Sequence, residues 1–151
     1  MAKLLFVLTL ALAAAAESPQ LKTVVFVCEH GSAKSVVAAA HFNHLAEQRG
    51  LPWRAVARGT VTDAEMAPAA LKGLAADGLP APAGKPVPLS QADLDAADRV
   101  VTFALDLPED LHSERSPARW EVPPVSTDYA GARAAIVAEI EKMIAEIEKR
   151  P

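Results

Sequence analysis

The chain holds one cysteine, and the residues around it carry more chemistry than any other stretch. Cys28 closes the apolar, β-branched run Thr23-Val24-Val25-Phe26-Val27 and is followed by Glu29-His30-Gly31-Ser32-Ala33-Lys34-Ser35. The run reads as a strand buried on both faces. The polar segment contains a glycine, and Val36 to Gly50 beyond it reads as a helix. Strand, tight loop and helix in that order aim backbone N–H groups inward beside a helix N-terminus, where the peptide dipoles leave partial positive charge. Such a loop holds anions, and the same field favours thiolate over thiol at Cys28. Ser32, Lys34 and Ser35 add side-chain donors. The competing reading makes Cys28 a small buried hydrophobe of the strand. Its place at the polar edge favours the anion loop.

The order Cys28, five residues, Lys34, Ser35 resembles the phosphate loop of low-molecular-weight protein tyrosine phosphatases and of the related arsenate reductases. In that family a cysteine, five residues, an arginine and a serine or threonine follow the first strand near the N-terminus. Gly59-Thr60 and the pattern Ser90-x-x-Asp93-Leu94-x-x-Ala97-Asp98-x-Val100-Val101 also resemble the family. Two positions depart from it: the family arginine is Lys34 and the usual loop asparagine is Gly31.

The resemblance implies roles residue by residue. Cys28 attacks phosphorus and forms a phosphoenzyme that water then hydrolyses. Backbone N–H groups of Glu29, His30, Gly31, Ser32, Ala33, Lys34 and Ser35 hold the equatorial oxygens. Lys34 supplies positive charge, and Ser35 donates to the Cys28 sulfur when it leaves. Lysine brings a point charge on a flexible stem in place of a planar fork; one oriented donor at an oxyanion is worth about 3 kcal/mol. Glu29 sets an extra negative charge beside the nucleophile, which His30 offsets when protonated. The family draws its general acid from an Asp-Pro pair after the last strand. Here that stretch reads Trp120-Glu121-Val122-Pro123-Pro124-Val125-Ser126-Thr127-Asp128-Tyr129, with no Asp-Pro, so Asp128 is the candidate acid. Its other reading is a helix N-cap.

Three functions fit these residues. The first is hydrolysis of phosphomonoesters, phosphotyrosine among them. The second is arsenate reduction, which without a second cysteine requires an external thiol such as glutathione. The third is an oxyanion-binding protein with no turnover, which tolerates Lys34, Glu29 and the missing Asp-Pro. In each case the partner is phosphate or another tetrahedral oxyanion, with a phosphoprotein as a candidate carrier. No metal or other cofactor is expected. His41 and His44 are three apart on a helix, yet no third ligand lies within sequence reach. His41 reads as a core-edge residue, His44 as surface and His112 as a solvated loop residue. No Walker or dinucleotide glycine pattern is present.

The elements that must position Cys28 follow from periodicity and breakers. Thr23–Val27, Trp53–Ala57, Arg99–Ala104 and Arg119–Val122 read as strands. Helices are expected over Ser35–Gln48, over Asp63–Ala76 with Thr62 or Asp63 as cap, over Gln91–Ala97 capped by Ser90, and from Thr127 or Asp128 to about Lys149. Ile136, Ile140, Met143, Ile144 and Ile147 form the apolar stripe of the last helix. Strands alternating with helices predict an α/β, flavodoxin-like three-layer fold: a parallel sheet of about four strands with helices on both faces. Ligands of such sheets bind at the carboxyl ends of strands, where Cys28 stands.

At 151 residues the chain is long enough for one domain with a proper core. A net charge of −4 and the lack of a basic stripe argue against nucleic acid. Lys3, the apolar run Leu4–Ala13 and the small residues Ala14-Ala15-Ala16 read as a signal peptide, residues 1–16, cut before Glu17. The alternative is an uncleaved anchor helix. Cleavage leaves residues 17–151 as the phosphatase-like domain, exported to the periplasm or secreted, with no membrane attachment. A lone thiol in an oxidising compartment is open to oxidation.

Overall fold

The computed structural model describes residues 18–150; the expected signal segment lies outside them. In chain order the elements are β1 (Lys22–Cys28), α1 (Lys34–Gln48), β2 (Trp53–Gly59), α2 (Pro68–Ala76), α3 (Gln91–Ala96), β3 (Arg99–Phe103), β4 (Ala118–Trp120) and α4 (Tyr129–Lys149). The strands form one parallel sheet in the order β2-β1-β3-β4. The connection from β2 to β3 passes over β1, so the strand order reverses between β1 and β3. In open α/β sheets ligands bind at such a reversal, outside the carboxyl ends of the strands.

Strand alternation in β1 assigns the layers. Val24, Phe26 and Cys28 face the larger core, made with Val36, Val37 and Phe42 of α1, Leu74 of α2 and the Ile136–Ile147 stripe of α4. Val25 and Val27 face the other side and pack with Leu94, Ala97 and Val100, under Leu105, Leu107 and Leu111. A continuous apolar strand is what two covered faces require. Phe26 lies at the centre, its ring centroid 6.2 Å from Phe42, 6.2 Å from Phe103 and 5.5 Å from Trp120. These contacts fix β1 against α1, β3 and β4, two residues short of Cys28.

Several boundaries differ from the sequence reading, each for a local reason. α2 starts at Pro68, not at Asp63, because residues 60–67 are drawn to the loop after β1: Val61, Asp63 and Ala67 all donate N–H groups to it. Neither Thr62 nor Asp63 caps a helix. β3 stops at Phe103 because Ala104 takes a φ of +55°, its N–H turned to the Trp120 carbonyl. β4 pairs only from Ala118 to Trp120, short of Val122. Asn43 of α1 covers the exposed side of edge strand β2: its side chain accepts from the Ala55 N–H at 2.7 Å and donates to the Ala55 carbonyl at 3.1 Å. No helix of the described residues is long and apolar enough to cross a membrane.

Candidate active site

Cys28 is the last residue of β1 and shares the parity of Val24 and Phe26, so its side chain points to the α1 side. It is buried, and its Sγ lies 3.1 Å from Ser35 Oγ in the first turn of α1. When the sulfur is ionised the Ser35 hydroxyl donates to it. Ser35 is itself fully buried, so this contact meets little competition from water.

The backbone between the two is polarised by its surroundings. The carbonyls of Cys28, Glu29, His30 and Ser32 accept from Thr60, Val61, Asp63 and Ala67 at 2.8 to 3.2 Å, and the Ala33 carbonyl accepts from Val37 at 2.9 Å. The segment after β2 therefore holds the loop by its oxygens. The N–H groups of residues 29–35 have no acceptor among the described residues. Ala33, at the cap position of α1, provides no capping side chain, unlike Ser90 before α3 and Asp128 before α4. An uncapped helix start beneath a loop with free amides is an oxyanion cradle.

Gly31 has a φ of +64°, the left-handed region that favours glycine. A Cβ there would also stand 2.8 Å from the Gly59 nitrogen. The departure from the family's asparagine is thus a residue that fits the required backbone without any side chain. Ser32 is buried and its hydroxyl donates to Asp63 Oδ2 at 2.6 Å. Its side chain braces the loop, and only its N–H is left for a ligand. His30 is exposed, with Nδ1 3.2 Å from the Val61 carbonyl and 3.4 Å from Asp63 Oδ1, and Nε2 3.7 Å from Glu29 Oε2. Glu29 stands largely in solvent. Lys34 is the first residue of α1, half-buried, with no carboxylate within 4 Å among the described residues.

Asp63 is the site residue that sequence reasoning missed. As a helix cap it had a sufficient local explanation, and its bond to Ser32 spans 31 residues. Asp63→Ala leaves the buried Ser32 hydroxyl without an acceptor, at a cost of about 1–3 kcal/mol. It also lowers oxyanion affinity, while Asp63→Asn, which keeps an acceptor, recovers most of both. Thermal melts with and without phosphate measure the two effects.

Asp128 caps α4: its Oδ1 accepts from the Gly131 N–H at 2.9 Å. Tyr129 turns to the helix layer and donates to Asp77 Oδ2 at 2.6 Å. Asp77, at the end of α2, also binds Arg133 and lies 3.3 Å from His41 Nε2. His41 is thus the core-edge residue expected, and His44 is exposed. Burial lowers the pKa of His41 and outweighs the raising effect of Asp77. At Asp77 burial pushes the pKa up, but hydrogen bonds from Tyr129 and Arg133 prevail and hold it below the ordinary carboxylate range. The depressed folded pKa means the Asp77 carboxylate contributes its stability in full above the unfolded value of about 3.9 and loses it as pH falls through its lower folded value. Asp77→Asn therefore flattens the acid limb of the stability–pH curve, seen as a smaller loss of Tm on acidification. No group of three or more metal-ligating side chains occurs among the described residues.

A parallel α/β sheet with a cysteine, an uncapped helix and a carbonyl-held loop at the strand-order reversal defines a phosphate-loop protein. The sequence matches the family of low molecular weight phosphotyrosine protein phosphatases over residues 23–141, and the chain belongs to that family. Solved structures agree in fold. A thioredoxin-dependent arsenate reductase of Corynebacterium glutamicum superposes with a TM-score of 0.74 at 20% identity, over 89% of this chain and 65% of that one. The chain thus spans about two thirds of the length of that relative. An arsenate reductase of Archaeoglobus fulgidus has a TM-score of 0.61 at 29% identity, over 82% of this chain and 97% of that one. A low molecular weight protein tyrosine phosphatase of T. tengcongensis has a TM-score of 0.66 at 20% identity, over 83% and 99%. No curated protein matches the sequence.

Proposed function

We propose that this protein hydrolyses phosphomonoesters through a cysteinyl-phosphate intermediate on Cys28. The observation that carries the reading is the pairing of Cys28 Sγ with Ser35 Oγ at 3.1 Å, under a loop whose amides are free and most of whose carbonyls are taken. The thiolate attacks phosphorus, the P–O bond to the leaving group breaks, and the phosphoryl oxygens are held by the loop amides and Lys34. Water then attacks phosphorus and gives up a proton to solvent, the S–P bond breaks to release inorganic phosphate, and the sulfur departs as thiolate with the Ser35 hydroxyl donating to it. Family membership supports this reading. Phosphate or another tetrahedral oxyanion is the ligand, and phosphotyrosine in a protein is a candidate substrate.

Asp128, the candidate acid, is engaged as the cap of α4. An aryl phosphate is the informative probe for that reason, since a phenolate departs without a proton. The test is hydrolysis of an aryl phosphate by the protein under reducing conditions, beside Lys34→Arg. Arginine at this position is expected to raise the rate about tenfold, part of the two to three decades an oriented donor is worth at an oxyanion. Phosphate-dependent thermal stabilisation without hydrolysis would instead assign a binding protein. The 29% identity to the Archaeoglobus fulgidus arsenate reductase favours arsenate reduction as the second reading. With Cys28 alone, that reaction requires an external thiol to take over the arsenic and regenerate the sulfur. Loss of arsenate dependent on added thiol would identify it.

A further inference from the structure

The four strands are parallel, so their carboxyl ends lie along one edge with Cys28. Each end leads into a carboxylate: Glu29 directly after β1, Asp63 after β2, Asp106 after β3 and Glu121 after β4. All four side chains are open to solvent, at 69%, 46%, 100% and 75% exposure. The cations among them are few. Arg119 serves two, with Nη1 3.2 Å from Asp106 and Nε 3.4 Å from Glu121. His30 lies between Glu29 and Asp63 and counts as a cation only when protonated. Lys34, at the start of α1, pairs with none of the four among the described residues and is left for an oxyanion held in the loop.

The acidic edge is not the chain's net charge spread evenly. The opposite edge opens on Lys22, Arg54 and Arg99. Two carboxylates near it are bonded, Asp98 to the Thr23 N–H at 2.8 Å and Glu146 to Arg99 at 2.8 Å. The site itself is the loop already described. What the carboxylates decide is which of its ligands are drawn in, since a cluster of one sign raises the local concentration of opposite charge. We propose that the phosphomonoesters this site takes carry positive charge on the leaving-group side, an amine or guanidinium beside the phosphorylated group. The inference rests on the phosphomonoester reading and narrows it. A basic residue next to a phosphorylated side chain and an amine in a small ester present the same chemistry.

The test compares two ligands that differ in one charge. The Cys28→Ser protein, which binds without turnover, is titrated with phosphotyramine and with its N-acetyl derivative. Exposed charge pairs are each worth up to about fivefold in affinity. The amine is therefore expected to bind about fivefold tighter at roughly 0.01 M ionic strength, where the Debye length is about 30 Å, and equally at about 1 M, where it is about 3 Å. Glu29→Gln and Asp106→Asn should each reduce the low-salt ratio. Equal affinities at low salt, or a ratio that neither salt nor these substitutions move, overturn the proposal. Phosphotyrosine peptides flanked by arginine or by glutamate separate the sources: a larger preference among peptides than between the small esters identifies a basic peptide, and a smaller one a small amine ester. A preference that persists while the wild-type protein hydrolyses no ester refutes turnover and leaves the charge selection standing.

Discussion

Cys28→Ser is expected to abolish aryl phosphate hydrolysis, with a loss of at least about 10⁴-fold in kcat, while oxyanion binding survives. Removing a nucleophile that acts in concert with its neighbours costs four to six decades in well-studied hydrolases. Serine is close to cysteine in shape, and the buried pocket beside Ser35 accepts a hydroxyl as a hydrogen-bond partner. The fold and the free amides of residues 29–35 therefore persist, and phosphate still raises the Tm. What disappears is an anionic nucleophile and a good leaving group for the second step. Rapid-quench kinetics supply the check: wild-type protein releases the phenol in a burst of one equivalent when hydrolysis of the intermediate is slow, and the variant shows none. Equal rates in the two proteins would remove Cys28 from the chemistry. Loss of phosphate stabilisation in the variant would show that the sulfur, and not the loop, holds the anion.

The sequence made the outer frame readable because the apolar patterns are strong. The run from Thr23 to Val27 has no polar interruption, and both of its faces are covered. The stripe Ile136, Ile140, Met143, Ile144, Ile147 is buried as its spacing predicts. The capping box of Ser90 and Asp93 is local and forms with both bonds in place. The site is half legible for the same reason. Cys28 and Ser35 are seven residues apart and bound to meet once the strand–loop–helix turn forms. The brace is not local. Asp63 reaches Ser32, and Gly59 meets Gly31, across about thirty residues. Periodicity carries no signal for such pairs, and Asp63 near a polar, helix-like stretch had a nearer explanation as a cap. The missing Asp-Pro was visible, yet whether Asp128 acts or caps depends on side-chain geometry that a spacing cannot supply.

Gly59→Ala tests the brace directly and is expected to lower kcat/KM by about 10²-fold. A Cβ at Gly59 would stand 2.6 Å from the Gly31 nitrogen and 2.8 Å from the His30 carbonyl carbon. Both are backbone atoms of the phosphate loop, so no side chain can rotate away, and the loop itself must shift. Misplacing catalytic groups by about 1 Å costs about two decades, and overpacking of this kind adds about 1–3 kcal/mol of instability. Gly50→Ala is the control. Gly50 has a φ of +63° but nothing within 4 Å of its added Cβ. It carries the left-handed backbone cost of about 1–2 kcal/mol and no contact with the loop. The two variants should melt lower than the wild type by comparable amounts, while only Gly59→Ala loses activity and phosphate-dependent stabilisation. Parallel losses of activity in both would mean that turnover follows global stability. A fully active Gly59→Ala would mean that the loop's position against β2 does not set the reaction rate.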